Sequence, residues 1–498
     1  MRREGESDIQ ATPAGEIVTL TRFPGGELHD GAELGAVTEQ TVRVWARQPG
    51  APTLIARLEI PGFSPVVGSV PLSAETDWTG VLTLSAPAPV PDQPFVCIVG
   101  ERRLSGRFAP APDEHCAFAF AFGSCHRPYE LDPDGHVRLS ERAKLYPAMR
   151  EELLTQGARF LLLCGDQVYS DALPPISVRE NLPGDEDHPP PLETIIEAYR
   201  RVTRGYLGEA GFRALREAFP TYCIWDDHDI FTTWGSRLHE SPLDRRLFHA
   251  ASRVYCEYQH SRNPGGSLKE PPYHYTFRFG TAGFLVLDVR GARHYPSGTL
   301  LGTQQWEDIQ RFLGSAEAAS LHTLFVVTSI PVAHVSRWLV RLFQRLPGHL
   351  ADEVRDRWCS DAFIESRNRL LSALFDWQTA APYRQVALLS GDVHAASAFT
   401  IRRRGKFGAI LECTSSPLTT KATRLERWLN LIATRAPNLL EPELHFERHF
   451  LVLANNHGLV RLRPLPGGGH HIEFTVRAWE ERSRAFRPAG RLASAPEF

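Results

Sequence analysis

The sequence lacks any long, uninterrupted run of apolar residues. No stretch of its 498 residues approaches the roughly 18 apolar residues that a membrane-spanning helix needs. Residues 1–16 carry charge but no apolar segment of the kind that a signal peptide requires. We therefore expect a cytoplasmic protein.

An excess of positive charge is also missing. The formal net charge is -3, so the chain has no overall cationic field of the kind that attracts nucleic acid by releasing counterions. This balance argues against nucleic-acid binding and leaves a small molecule as the expected partner.

The eight cysteines show no C-x-x-C spacing. Several lie in apolar, strand-like segments, namely Cys97, Cys164, Cys223 and Cys413. This pattern is typical of buried free thiols in a reducing compartment and does not indicate a disulfide framework. Cys125, which follows Gly-Ser at the end of a predicted strand, is the exception.

Two different patterns divide the chain. Up to Phe108, short β-branched runs broken by Gly and Pro predict a small all-β sandwich, which we place in a domain over residues 1–112. From residue 113 to 498, strand-like runs alternate with helical patterns, as in a layered α/β domain. Strands after Gly408 are expected to close this domain with a second sheet.

Polar residues follow four of the predicted strands directly. They are GSCHR after Phe122, GDQVYSD after Cys164, DDHD after Trp225 and GDVH after Ser390. Ligands bind outside the carboxyl ends of strands in open α/β sheets, so these four loops are the expected site.

The mixture of residue types in these loops favours a metal centre. Asp supplies hard oxygen, His nitrogen, Cys a thiolate and Tyr a phenolate, a set that suits transition metals. Crowded carboxylates without a cation would repel one another. Asp166 is the natural bridging ligand, and His228 is a candidate general acid whose tautomer we expect Asp229 to fix.

Six stretches together resemble the PhoD-like (alkaline phosphatase D) branch of the calcineurin-like metallophosphoesterases. They occur in the family's order between about residues 115 and 400, and they are FGSC, GDQVYSD, WDDHD, LDVRGAR, LGTQQW and SGDVHAA. The resemblance implies a four-layer α-β-β-α sandwich of two sheets between helices, after the small N-terminal β-sandwich domain. It also implies iron and calcium as cofactors, with manganese or zinc as alternatives.

The resemblance assigns individual residues as well. It implies Cys125, Asp166 and Tyr169 as iron ligands, with Asp392 and His394 joining the site. Asp227 is similar in position to a second-metal ligand of the wider superfamily, and Arg290 resembles a phosphate-facing arginine. The family is typically exported with a twin-arginine signal, but Arg2 and Arg3 lack the hydrophobic stretch that must follow.

Other interpretations of single features stay open. Cys125 could be a buried structural residue or a thiolate nucleophile as well as a metal ligand. His334 suits either a structural role or a contact with substrate or metal. Residues 337–346 and 424–435 form basic amphipathic patterns, which are consistent with packing on the domain, a lid over the site or contact with a membrane surface.

The sequence therefore predicts a metal-dependent hydrolase of small phosphomonoesters or phosphodiesters that uses a metal-bound hydroxide or oxide. Two alternatives belong to other classes. One is a non-catalytic, PhoD-like binding protein, and the other is a metal-assisted hydrolase of a non-phosphorus substrate.

Overall fold

The structure is a computed structural model that describes residues 9–11, 17–19, 23–24, 26–266 and 270–494. Residues 1–16, which lack the apolar segment of a signal peptide, lie largely outside the described residues. In the described part of the chain, no helix is long and apolar enough to cross a membrane.

The strands are numbered in chain order. Strands β1 to β9 are Ile9–Ala11, Ile17–Thr19, Gly31–Val37, Thr41–Arg47, Thr53–Glu59, Val66–Pro71, Thr79–Ser85, Pro94–Val99 and Arg102–Arg107. Strands β10 to β17 are Phe118–Gly123, Tyr129–Leu131, Val137–Leu139, Ala158–Cys164, Thr221–Ile224, Tyr275–Phe279, Ala282–Val286 and Thr323–Val327. Strands β18 to β24 are Gln385–Ser390, Ala396–Arg403, Ile410–Thr414, Leu444–Val452, Asn456–Pro464, His470–Glu480 and Ala485–Ala493.

The α-helices are numbered in the same way. Helices α1 to α6 are Leu145–Thr155, Leu192–Gly208, Ala210–Glu217, Asp227–Ile230, Pro242–Tyr258 and Gly302–Leu313. Helices α7 to α11 are Ala316–Ala319, Arg337–Phe343, His349–Arg355, Ile364–Thr379 and Arg424–Ala433. Short 3-10 helices lie at Ala74–Thr76, Glu141–Lys144, Pro174–Ile176, Arg179–Asn181, His260–Arg262 and Tyr295–Ser297.

The N-terminal strands form two antiparallel sheets. One has the order β3-β4-β7 and the other the order β6-β5-β8-β9. Side chains from both sheets are buried in a shared cluster that includes Leu34, Val44, Leu58 and Cys97. Along β5, buried positions alternate with exposed or half-buried ones, which is the pattern of a sheet that covers a core with one face, whereas β3 is buried throughout. The boundary of a separate domain at residue 112 stays a prediction.

Buried polar contacts join these sheets to the helices behind them. The indole nitrogen of Trp45 donates to the Glu257 carbonyl at 2.8 Å. Asp77 lies 2.7 Å from both Arg47 and Arg204, so one carboxylate joins β4 to α2. Because such charges are desolvated, losing either partner would leave an uncompensated charge in the interior.

Two large mixed sheets form the rest of the molecule. The six-stranded sheet has the order β14-β13-β10-β22-β23-β24, and the seven-stranded sheet has the order β15-β16-β17-β18-β20-β19-β21. Phe120 of β10 packs against Phe284 and Phe325 of the other sheet, with ring centroids 5.4 and 5.3 Å apart. All residues of β10, β14, β16 and β17 are buried, which explains their continuous apolar sequences.

Each strand that precedes one of the four polar loops is parallel to at least one neighbour. In one sheet β10 pairs with β13, and β13 with β14, in parallel. In the other sheet β18 is parallel to both β17 and β20. The carboxyl ends of parallel strands meet at one edge, so each sheet brings its own loops together.

The expected helices and strands of the α/β region are present, with one correction. The strands after Gly408 do not form a sheet of their own. Instead, β20 and β21 join the seven-stranded sheet, and β22 pairs with β10 in the six-stranded sheet. Amphipathic patterns fix which residues are strands but not which strand lies beside which.

Candidate active site

Four of the predicted metal ligands share an unusual backbone conformation. Cys125, Asp166, Asp392 and His394 have φ values of 62°, 57°, 64° and 52°. Residues other than glycine rarely adopt this left-handed conformation because it strains the backbone. Strained residues tend to concentrate at functional sites. The tight turns at the strand ends aim these side chains toward one point.

The first group of side chains surrounds Asp166. Its Oδ2 lies 3.3 Å from Sγ of Cys125 and 3.2 Å from the hydroxyl of Tyr169. The same hydroxyl lies 3.3 Å from Nε2 of His394. These four residues come from three loops and both sheets, and all but His394 are almost fully buried.

The second group shares Asp166 with the first. Asp166, Asp227 and His228 each offer a ligand atom, and these atoms lie within 4.8 Å of one another. The backbone nitrogen of Thr233 donates to Oδ2 of Asp227 at 2.6 Å and holds that carboxylate in place. Asp166 thus belongs to both groups, and its role as a bridging ligand stays a prediction.

Buried carboxylates crowd together in this region. Burial, and then the nearby carboxylates of Asp226, Asp227 and Asp229, raise the pKa of Asp166 well above its usual range, although His228 opposes this. Burial and Asp166 likewise raise the pKa of the Cys125 thiol. The buried Oδ1 of Asp166 accepts no hydrogen bond from any residue that the structure describes. Since buried polar atoms are normally satisfied, this donor set fits a metal cation.

His228 has a different partner from the one predicted. Its Nδ1 lies 2.8 Å from Oδ1 of Asp171, whereas Asp229 accepts backbone N–H groups of Asp166, Val168 and Asp226 at 2.9 to 3.0 Å. The prediction that Asp229 fixes the His228 tautomer is therefore wrong. Asp229 points back into the turn because three backbone donors converge on it, and burial raises its pKa to about 7.

Arg290 lies behind the site. Its side chain is fully buried, its Nε is 2.6 Å from Asp226, and its two terminal nitrogens are 2.6 and 2.9 Å from Asp356. A further contact of 3.5 Å reaches Asp227. Arg290 does not line the cavity at the site. The geometry makes it a brace for Asp226 and Asp227, and a phosphate-facing role stays a prediction.

Two other arginines do line the cavity. The guanidinium of Arg127 lies 5.8 Å from the centre of the Tyr169 ring and donates to the Ala172 carbonyl at 3.2 Å. Arg357 forms an ion pair with Oδ2 of Asp392. The backbone oxygen of Asp392 lies 3.6 Å from Sγ of Cys125.

Glu426 is a functional candidate that the sequence reasoning missed. Its Oε1 lies 2.9 Å from Nδ1 of His394, the nitrogen opposite the one that faces Tyr169. Burial opposes ionisation, but the contact with His394 and the helix cap lower the pKa of Glu426 to about 2. The capping box formed by Thr423 and Glu426 predicts the start of α11 from the sequence. The sequence pattern does not indicate which loop the Glu426 carboxylate contacts.

His334 is structural. The ring is fully buried, with Nδ1 2.8 Å from the Ser397 hydroxyl and Nε2 2.7 Å from Oδ1 of Asn430. Asn430 in turn donates to the Val393 carbonyl at 2.9 Å. His334 therefore anchors α11 over the SGDVH loop and does not enter the cavity.

A cavity of about 490 Å³ opens at these loops. Its polar side includes Asp166, Tyr169, Asp227, His228 and His394. Its other side is formed by α8, α9 and α11, so the two basic amphipathic segments lie beside the site. Contact of those segments with a membrane surface stays a prediction.

The model of the PhoD-like phosphatase family matches residues 120–463. The chain belongs to this family. The match contains all four polar loops, with Cys125 near its start and α11 near its end. The resemblance predicted from the six sequence stretches is thereby confirmed.

Two PhoD proteins are similar to this chain. Alkaline phosphatase D of Bacillus subtilis (strain 168) is 25% identical over 226 residues, which are 40% of this chain and 35% of that protein. The matched part thus spans about a third of that relative. A solved structure of PhoD has a TM-score of 0.64 at 16% identity and covers 96% of this chain and 90% of its own.

A second solved structure lies further away. Purple acid phosphatase PPD1 from yellow lupin (Lupinus luteus) has a TM-score of 0.55 at 9% identity, and the match covers 93% of this chain and 74% of that one. At these identities the likeness shows the fold alone, which is a mixed α/β fold with several sheets.

Proposed function

We propose that this PhoD-like chain is a metal-dependent phosphoester hydrolase of the alkaline phosphatase or phosphodiesterase type, acting on small phosphoesters. The observation that carries the proposal is that Asp166, Tyr169, Asp227 and His394 line one cavity, with Cys125 buried against Asp166. The buried Oδ1 of Asp166 accepts no hydrogen bond from the described residues. The proposal includes the four-layer sandwich and a separate N-terminal β-sandwich domain.

The residues divide into two ligand sets. Cys125, Asp166, Tyr169 and His394, with Asp392 beside them, would hold one cation, and Asp166 and Asp227 would share a second. The mixture of thiolate, phenolate and nitrogen in the first set favours iron, and the oxygen-rich second set favours a harder cation such as calcium. Such cations supply charge neutralisation and a nucleophile active near neutral pH.

The chain's own residues account for the remaining steps. Asp171 occupies Nδ1 of His228, so Nε2 is the nitrogen that can donate a proton to the leaving ester oxygen. Although burial opposes protonation, Asp171 and Asp227 raise the pKa of His228 well above its usual value. Arg127, at the cavity wall, is suited to bind the phosphoryl oxygens.

The decisive experiment combines metal analysis with turnover. Plasma mass spectrometry of the purified protein should find near-stoichiometric bound metal, and the protein should hydrolyse para-nitrophenyl phosphate or bis-para-nitrophenyl phosphate. Asp166→Ala should lose both the metal and the turnover while remaining folded.

Asp132→Ala is the matched control. Within the described ranges, Asp132, Asp134 and His136 form the other acidic and histidine group that the structure brings together, in a loop far less buried than Asp166. Loss of metal from Asp132→Ala alone would mean that the metal binds at the Asp132 group and not at the proposed site. Bound metal without hydrolysis of either ester would favour the non-catalytic binding protein or a non-phosphorus substrate.

A further inference from the structure

We propose that the cavity beside the polar loops is a subsite for an apolar substituent, so that the substrates are phosphoesters that carry an alkyl, acyl or aryl group. This inference rests on the proposed function, because the phosphoryl group of such a substrate would sit at Asp166, Asp227 and His228.

The cavity has two chemically different sides. The polar loops form one side, and three helices supply the other. The apolar side chains that these helices turn to the cavity are Leu339 and Phe343 of α8, Leu350 and Val354 of α9, and Leu429 and Ala433 of α11. A substrate that spans the cavity therefore meets charge at one end and hydrocarbon at the other.

The apolar side is held in place by hydrogen bonds between the helices and the loops. The backbone nitrogen of Ser336 donates to the Ala433 carbonyl at 2.8 Å, and the indole of Trp338 donates to the Arg435 carbonyl at 3.0 Å. Asn430 ties α11 to the Val393 carbonyl. A wall that is already fixed loses little conformational entropy when a ligand binds, which favours affinity.

The size of the cavity supports an occupant larger than phosphate. A volume of about 490 Å³ lies within the range of roughly 300–1,000 Å³ that is typical of pockets for drug-sized ligands. A phosphoryl group alone is far smaller than this volume, so the cavity has room for a further substituent beside the helices. A sugar or another polar substituent there would lose its hydration to side chains that cannot donate or accept hydrogen bonds.

Not every side chain on the helical side is apolar. Arg357 also borders the cavity, but its guanidinium is paired with Asp392. Glu426 is directed to His394. Glu353 of α9 and Asn430 of α11 border the cavity as well; Glu353 lies 3.7 Å from Arg357, and Asn430 donates to the Val393 carbonyl. Because these polar groups contact one another or the loops, the six apolar side chains supply the surface for the substituent.

The inference is tested with para-nitrophenyl methyl, butyl and octyl phosphate. The leaving group is the same in all three diesters, so only the second substituent changes. We expect KM to fall by up to about fourfold for each CH₂ that becomes buried. The kcat should change little, because the apolar contact stabilises ground state and transition state alike.

Variants locate the effect. Phe343→Ala and Leu429→Ala, on two different helices, should each weaken the dependence of KM on chain length. Leu342→Ala is the matched control, because Leu342 lies next to Phe343 on α8 but is 60% exposed and does not line the cavity. It should leave the dependence unchanged.

Binding of methyl-, butyl- and octylphosphonate, measured by calorimetry, separates this inference from the proposed function. These probes have a P–C bond that is not hydrolysed, so binding does not depend on turnover. Affinity that rises with chain length in the unaltered protein and not in Phe343→Ala would support the subsite even if no ester were cleaved. Equal affinity and equal KM across the series, with turnover intact, would overturn the subsite and leave the hydrolase proposal standing.

Discussion

The imidazole of His228 lies with its Nδ1 only 2.8 Å from Oδ1 of Asp171. The other oxygen of Asp171 accepts the backbone N–H of Thr232 at 2.6 Å, which fixes the carboxylate relative to the helix that carries His228. Asp171 is the last residue of the GDQVYSD motif and His228 lies in the first turn of α4, so this contact sets the geometry between two of the four polar loops. His228 itself lines the cavity.

Replacement of Asp171 with Asn should reduce turnover. We expect kcat with bis-para-nitrophenyl phosphate to fall by roughly 100-fold, because His228 loses the carboxylate that orients it and favours its protonated form. Asp132→Asn, in a less buried loop, is the control and should retain full activity. An unchanged kcat in a folded Asp171→Asn variant would remove His228 from the role of general acid.

Replacement of Glu426 with Gln should weaken metal binding. The amide keeps a hydrogen-bonding side chain at the helix cap but removes the charge that orients His394. Groups that support a metal-bound histidine in this way typically contribute 10- to 100-fold in metal affinity. Retained metal, measured after titration with a chelator, should fall accordingly.

The control for Glu426→Gln is Glu443→Gln, because the Glu443 side chain is 70% exposed and pairs with Arg403 away from the cavity. If both variants keep their metal equally well, either His394 is not a ligand or Glu426 does not support it.

Replacement of Arg290 with Met should destabilise the fold. Asp226 would remain buried without its cationic partner and Asp356 would keep only Arg293, and breaking a buried ion pair in this way typically costs about 3–5 kcal/mol. Denaturant unfolding measures this free energy directly. Arg311→Met, at a side chain that is 69% exposed, should change it by less than about 0.5 kcal/mol.

The same Arg290→Met variant also tests the phosphate-facing role predicted from the sequence. Unchanged stability together with a raised KM for phosphoesters would support that role and contradict the bracing role that its contacts indicate.

His334 gives the fold a dependence on pH. Burial lowers the pKa of His334 from 6.5 to about 4, so the unfolded chain binds a proton near pH 6.5 that the folded chain does not. This contribution to stability is therefore present above pH 6.5 and is lost as the pH falls toward 4. His334→Gln should be less stable than the unaltered protein at pH 7.5, and the gap should narrow by roughly 2 kcal/mol at pH 5.

His136→Gln is the control for this measurement, because His136 is 80% exposed. Denaturant unfolding at the two pH values should show little change in the gap for that variant. A gap for His334→Gln that stays constant between pH 7.5 and 5 would mean that His334 does not titrate differently in the two states.

Several parts of the site were readable from local sequence. Cys125, Asp166, Tyr169, Asp227 and His394 each follow a strand, and a strand end is a local feature. Asp171 stands inside one of the same motifs, but only the structure shows that it is the partner of His228. Arg127 follows the GSC turn directly, yet its position on the cavity wall depends on the fold of the Tyr169 loop.

Other features of the site and the fold could not be predicted from local sequence patterns. Arg290 belongs to a motif of the family, but its three acidic contacts come from segments far away in the chain. Glu426 lies on α11, 32 residues after His394 in the loop that follows β18, and no periodicity indicates that the two side chains meet. The C-terminal strands were recognised, whereas their division between two sheets was not.

The sequence by itself determined the alternation of strands and helices, the positions of the polar loops and the chemical types of their side chains. These follow from short-range periodicity and from the backbone preferences of residues at strand ends. Only the tertiary structure decided that Asp171 orients His228, that Glu426 contacts His394, and that α8, α9 and α11 place an apolar wall across the cavity. Those relationships depend on strand order and helix packing, which are fixed by long-range contacts.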